Sequence, residues 1–187
     1  KYEKKCLESA NELIVVSKII SNQFVKSYPK IASKMNIIPN GYDPADFKQV
    51  KEIITDYKYI SYIGSLGEIY PVDKVIKAFK NLCLMEPNWK LRFVGNISDS
   101  TKSIVNKNEL EASVEFIPYR PHNEAIELMV NSHILLLIIP KLEENKGILT
   151  GKLFEYIASG TPIILIVPPN GDAAAILSEF KNVKIID

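Results

Sequence analysis

Two cysteines, one tryptophan, two histidines and eight glycines are all that 187 residues hold of those types, and each scarcity removes a class of explanation. Cys6 and Cys83 have neither metal-ligand nor redox spacing. They read as small buried hydrophobes in a reducing, cytoplasmic setting. The glycines form no G-x-G-x-x-G and no Walker pattern, so neither standard phosphate fingerprint is present. No His/Cys/Asp/Glu cluster has metal-ligand spacing, and no serine sits in a nucleophile elbow. His122 and His133 have no carboxylate or nucleophile at a suggestive spacing, and His133, just ahead of an apolar run, reads as structural. Charge of one sign is missing too: 23 Lys+Arg against 22 Asp+Glu leave a net charge of +1. That balance gives no field for nucleic acid or an anionic membrane. The longest apolar run, Ile134–Ile139, is far short of the roughly 18 residues of a membrane span. There is no signal peptide. Lys1 is not a start methionine, so the chain reads as a piece of something longer.

What is present is alternation. Strands are predicted at Leu13–Ser17, Asn36–Ile38, Tyr59–Gly64, Leu91–Gly95, Val114–Ile117, Ile134–Ile139, Pro162–Val167 and Val183–Ile186. Helices fall between them: one ending near Tyr28-Pro29, then Asp73–Met85, Ser98–Asn108, Asn123–Val130, Gly151–Ala158 and Ala173–Phe180. In Asp73–Met85 the positions Val75, Ile76, Phe79, Leu82 and Cys83 share one face at helical period. Such βαβα order implies an α/β fold, a doubly wound Rossmann-like parallel sheet with helices on both faces. The unbroken hydrophobicity of Ile134–Ile139 makes it the central strand. A polar, turn-rich break at Pro39–Phe47 suggests a boundary. Residues 1–40 then look like the tail of a separate α/β unit with the start of a linker, and 41–187 form the main domain.

In doubly wound sheets ligands bind beyond the carboxyl ends of the strands, which leaves four loops to weigh. Gly64-Ser65-Leu66-Gly67-Glu68 has two glycines after a strand but reads first as a tight turn. Gly95-Asn96 is the second. Pro118-Tyr119-Arg120-Pro121-His122 is either a plain surface loop or the place where Tyr119 or Arg120 lies against a flat base. The fourth, "LTGKLFEYIASGTPIIL" (149–165), is anomalous. Leu149, Leu153, Phe154, Ile157 and Ala158 share a buried side, while Lys152, Glu155 and Ser159 share the other stripe. Lys152 sits in the positive field of a helix start, and it precedes its acid, the less favourable order. One reading puts phosphates at Thr150, Gly151 and Lys152, on free N–H groups and an ammonium, with a ribose diol on Glu155. The other is a solvated Lys–Glu pair worth roughly 0.2–0.5 kcal/mol. The local sequence leaves both open.

The order of segments resembles a known family. "IPNGYDPADF" (38–47) is similar to the interdomain linker of glycosyltransferases with the two-domain B-type fold. "YIGSLGEIYPVDKVIKAF" (62–79), "LRFVGN" (91–96), "VEFIPYRPHNEAIELMVNSHILLL" (114–137) and "GKLFEYIASGTPII" (151–164) follow in family order, nearest to the fourth family of sugar-nucleotide transferases. The resemblance implies a donor-binding half at 41–187, lacking the final crossover helix, after a remnant of the acceptor-side domain at 1–40. It implies transfer of a sugar from a nucleoside diphosphate donor, usually with retention, and no obligatory metal or cofactor. The missing N-terminal acceptor domain would be its partner, and any peripheral membrane contact would come through missing parts. Glu155 matches the family's ribose-binding glutamate; Thr150, Gly151, Lys152, Gly64 and Ser65 match positions near the diphosphate. The pattern departs at Ser65, where an arginine is usual, at Tyr70, where a lysine is, and at Gly147, where the first glutamate of a pair falls. Rival expectations are a binding-only relative and a sugar-nucleotide epimerase on the same scaffold.

Overall fold

The structure, a computed structural model, describes residues 2–48, 50–140 and 142–186. Lys1, Gln49, Lys141 and Asp187 lie outside the described residues.

The elements run α1 (Tyr2–Ser9), β1 (Leu13–Val15), α2 (Lys18–Ser27), β2 (Met35–Ile37), β3 (Lys58–Ile63), α3 (Val72–Met85), β4 (Trp89–Val94) and α4 (Asp99–Lys107). They continue with β5 (Val114–Ile117), α5 (His122–Val130), β6 (Ile134–Ile138), α6 (Gly151–Ser159), β7 (Ile163–Ile166), α7 (Asp172–Leu177) and β8 (Val183–Ile186). Six strands form one parallel sheet in the order β5-β4-β3-β6-β7-β8. From β3 the chain winds outward to β5, crosses back, and winds the other way from β6. The reversal leaves a crevice between β3 and β6 at their carboxyl ends, the ligand position of such sheets.

Central β6 is apolar throughout because both its faces are covered. Leu135 and Leu137 pack with Ile126, Met129, Leu153 and Tyr156 of α5 and α6. Leu136 and Ile138 face the other way, toward Ile76 and Phe79 of α3. On that second face α3 stops short of β7 and β8, leaving an apolar groove of about 540 Å³ lined by Leu136, Ile164, Ile166 and Ile186.

The sequence-predicted elements recur with shifted ends. The first strand is shorter than predicted because Ser17 leaves it to cap α2, its Oγ accepting from the Ile20 N–H at 3.3 Å. Helix α6 stops where Gly160 takes a left-handed conformation (φ 71°), which an L side chain resists. Helix α1 has no counterpart in the predicted elements. It buries none of its residues, so it carries no apolar stripe to read. Cys6 lies on it and is exposed, contrary to the buried hydrophobe expected, and Cys83 is only partly covered.

Strands β1 and β2 form a separate two-stranded parallel sheet, with Ile14, Ile37 and Ile38 exposed. Helix α2 ties this segment to the main sheet: the Ile19 N–H donates to Asp172 Oδ2 at 2.8 Å. Gly147 lies so close beneath α2 that a Cβ there would stand 2.8 Å from the Ile20 side chain and 3.2 Å from the Ser17 hydroxyl. A glutamate at 147 would push against α2, so the glycine is a packing requirement.

Candidate functional site

Two glycines shape the crevice. β3 ends at Gly64 (φ 134°) and β4 at Gly95 (φ 121°), both in backbone regions that side chains strain. The ladder continues through them: the Gly64 N–H donates to the Val94 carbonyl at 2.8 Å and the Gly95 N–H to the Ile117 carbonyl at 2.9 Å. A Cβ on Gly64 would lie 2.5 Å from Lys152 Nζ. The helix-start lysine thus reaches across from α6 and fills the space that a side chain at 64 would occupy.

Lys152 is held there by aromatic and hydroxyl contacts. Its ammonium lies 4.3 Å from the centre of the Tyr62 ring and donates to Tyr62 Oη at 3.0 Å. The Tyr62 hydroxyl in turn donates to the Ser65 carbonyl at 2.8 Å. Burial pushes the Lys152 ammonium down to about 8, opposed by the charge of Glu155, and burial pushes the Tyr62 phenol up. Among the described residues Lys152 makes no ion pair, so the solvated Lys–Glu pair does not form. A desolvated cation beside the Gly64 turn, at the carboxyl end of β3, is poised for an anion. At the same helix start Thr150 Oγ1 is buried with no hydrogen-bond partner among the described residues and makes no cap bond. Nothing stands within 4 Å of the position a Cβ would take on Gly151.

One turn on, Glu155 leans the other way, toward α5. Its Oε1 lies 3.0 Å from His122 Nε2, and His122 Nδ1 lies 3.7 Å from Asp46 Oδ2. The hydrogen bond to Glu155 and the charges of Glu155 and Asp46 raise the His122 pKa, against a smaller opposing effect of burial. Sequence reasoning set His122 aside; its carboxylates come from α6 and from the 3-10 turn Pro44–Phe47, distant in sequence. Tyr156, also unremarked, is fully buried, and its hydroxyl accepts from the Ile63 N–H at 2.9 Å. That bond fixes α6 against the end of β3. Ser159, the third member of the predicted stripe, turns back to donate to the Tyr156 carbonyl at 2.7 Å.

A cleft of about 680 Å³ opens over the ends of β3, β4 and β5, lined by Ser65, Gly67, Gly95, Asn96, Ser98 and Tyr119. Tyr119 is 75% exposed on its rim. Arg120, its expected companion, is paired instead with Glu124 of α5 at 3.6 Å. Tyr70, where the resemblance has a lysine, packs edge-on against Tyr62 at 6.5 Å between ring centres. Among the described residues no group of three His, Cys, Asp or Glu side chains could hold a metal ion. None of the described helices is long and apolar enough to cross a membrane.

The sequence profile of the family described as glycosyl transferases group 1 matches residues 43–182. The chain belongs to that family. The match begins at Asp43, immediately before the turn that carries Asp46, and takes in every strand of the large sheet except β8. Among curated relatives, the O-antigen chain mannosyltransferase RfbU of Salmonella typhimurium is 25% identical over 165 residues, covering 87% of this chain and 44% of its own. Among solved structures, WaaG, a glycosyltransferase involved in lipopolysaccharide biosynthesis, superposes with a TM-score of 0.73 at 20% identity over 94% of this chain and 49% of its own. HepE of Anabaena, in complex with UDP and glucose, gives 0.70 at 14% identity over 98% of this chain and 53% of its own. The structural likeness is one of fold, that of the B-type glycosyltransferases. The chain spans about half the length of the relatives it matches.

Proposed function

We propose that this chain is the donor-binding part of a glycosyltransferase that moves a sugar, with retention, from a nucleoside diphosphate to an acceptor held by a second domain. The observation that carries the reading is Lys152: a half-buried ammonium with no carboxylate partner among the described residues, at a helix start, against the Gly64 turn. In this reading Lys152, the N–H groups around Gly151 and the unpartnered Thr150 hydroxyl hold the diphosphate. Gly64 and Ser65 border it, Glu155 accepts from the ribose hydroxyls, and Tyr119 lies against the base in the cleft. Lys152 thereby takes the part that the usual arginine and lysine play where this chain has Ser65 and Tyr70. The charge for the leaving diphosphate comes from the chain itself in this reading, with no metal or cofactor invoked. Cytoplasmic placement, a missing acceptor domain and the lack of transferase activity in this chain alone belong to the same reading, because transfer requires both halves to be positioned together. HepE's complex with UDP and glucose is consistent with it.

Calorimetry of the 187-residue chain with UDP, GDP and ADP tests the reading: one should bind in clear preference, and binding of none would overturn it. For the preferred nucleotide, Glu155→Gln should weaken binding by about 1–2 kcal/mol, the difference between a charged and a neutral hydrogen bond. It should also narrow the gap between ribose and 2′-deoxyribose forms. An unchanged gap would remove Glu155 from the sugar.

Affinity should also depend on pH in a definite direction. The free protein loses the Lys152 proton as pH rises through about 8, whereas a bound diphosphate holds that proton on. Diphosphate affinity should therefore be flat near pH 7 and fall above pH 8, approaching about tenfold per unit. The nucleoside without phosphates should show no such fall. A level diphosphate profile to pH 9.5 would place no titrating cation at the phosphates.

A further inference from the structure

Three elements that are remote in sequence meet at His122: the start of α5, the middle of α6, and the turn Pro44–Phe47 that leads into the large sheet. The imidazole lies between two carboxylates, Glu155 Oε1 at 3.0 Å from Nε2 and Asp46 Oδ2 at 3.7 Å from Nδ1. A neutral imidazole carries one N–H and one lone pair, and its lone pair would then face a carboxylate. Only the imidazolium suits both neighbours. The other charged groups at this junction, Arg120 just before α5 and Glu124 in its first turn, pair with each other at 3.6 Å. Lys152 on α6 acts on Glu155 from the crevice side. Glu155 is 24% exposed and makes no hydrogen bond other than that to His122 among the described residues.

We propose that His122 is a positioning residue: as an imidazolium anchored by Asp46 it holds Glu155 by one oxygen, so that the other is aimed at the ribose diol of a bound nucleotide. The inference rests on the ribose reading of Glu155. It adds to that reading a residue with no place in the family resemblance, and a link from the segment entering the large sheet to the donor site. The physics is that of an outer partner orienting a ligating carboxylate. A free glutamate spreads over several rotamers and loses entropy on binding. A glutamate already fixed by a charge-assisted bond loses less. Since Glu155 raises the His122 pKa, the anchored state extends toward neutral pH. It is lost as pH rises through that raised value.

The test pairs binding with a direct view of the ring. UDP and GDP, each with its 2′-deoxy counterpart, are titrated between pH 5.5 and 8.5 into the wild type, His122→Ala, His122→Gln and Asp46→Asn. His122 and His133 are the two histidines of the chain, so proton NMR separates their ring signals and reports the His122 pKa in each variant. The expected wild-type result is a ribose preference that is greatest at low pH and shrinks about tenfold as His122 deprotonates. His122→Ala should abolish most of that preference at every pH. His122→Gln, which still donates to Glu155 but cannot titrate, should keep part of it and be flat with pH. Asp46→Asn should lower the His122 pKa and move the preference with it. Circular dichroism serves as the folding check, and since the His122 side chain is 53% exposed, His122→Gln should fold even if the alanine variant does not. A ribose preference that survives unaltered, with its pH dependence, in His122→Ala or His122→Gln would overturn the positioning role alone. The absence of any ribose preference in the wild type would sink the ribose reading of Glu155, and this inference with it.

Discussion

Lys152→Ala should weaken the preferred nucleoside diphosphate by about ten- to a hundredfold, roughly 1.5–3 kcal/mol, the scale of a charge-assisted phosphate contact. The matching nucleoside should be affected by no more than about twofold. Lys152→Met separates charge from packing, because it keeps an apolar stem over the Tyr62 ring, where the ammonium now lies at 4.3 Å. It should lose as much diphosphate affinity as the alanine variant. The two should differ in stability. A lysine held at about 8 in the folded chain, against about 10.4 when unfolded, disfavours the folded state in full below pH 8, pH 7 included, and that cost is relieved as pH rises toward about 10.4. Lys152→Met should therefore raise stability at neutral pH, by about 1 kcal/mol or more at about 1.4 kcal/mol per unit of depression. A residue whose removal stabilises the fold but removes the ligand is one kept for function. Equal losses for nucleoside and diphosphate, or a fall in stability with Lys152→Met, would show that the ammonium is a structural group.

The sheet was legible in the sequence because its strands are buried on both faces. Ile134–Ile138 is apolar without interruption and occupies the centre. The helix of Lys152 was legible as an anomaly, a cation in an unfavourable field on a stripe opposite Leu153. What it touches was not: Tyr62 sits in an apolar strand run, and nothing local says that its hydroxyl meets a lysine 90 residues later. The solvated pair with Glu155 failed for the same reason, since the nearest partner along the chain was not the nearest in space. His122 was invisible because both its carboxylates arrive by topology. Gly147 looked like a lost functional residue until the approach of Ile20 and Ser17 gave it a packing reason. Helix α1 was illegible because it buries nothing. Periodicity detects faces that pack, and an element without one leaves no pattern.

Gly95→Ala should be the most damaging single-methyl change in the site, and comparison with two other glycines makes it diagnostic. At Gly95 the added carbon would stand 2.7 Å from the Gly64 carbonyl oxygen and 3.0 Å from its carbon, on a backbone at φ 121°. Both neighbours are main chain locked in the ladder, so neither can move aside without opening the ends of β3 and β4. Strain at positive φ of about 1–2 kcal/mol and overpacking of about 1–3 kcal/mol should together remove about 2–5 kcal/mol. For a chain of this size that corresponds to a fall in Tm of roughly 4–20 °C. Gly64→Ala should differ in kind. Its Cβ would meet the far end of Lys152, with Nζ at 2.5 Å and Cε at 3.1 Å, and a flexible side chain can swing away. The stability loss should then be mainly the backbone strain at φ 134°, while diphosphate affinity should drop nearly as far as in Lys152→Ala because the ammonium is displaced. Gly151→Ala is the third case. Nothing lies within 4 Å of its Cβ position, and the first turn of a helix accepts alanine, so stability should hold or rise by about 0.4–1 kcal/mol. Its diphosphate affinity should nevertheless fall, because the methyl would stand where the phosphate has to approach the helix start. Thermal melts and UDP or GDP titrations of the three variants should thus separate fold from site: stability lost at 95, both at 64, binding alone at 151. If Gly151→Ala binds the diphosphate as tightly as the wild type, the phosphates do not rest on the start of α6, and Lys152 would reach them from elsewhere in the cleft.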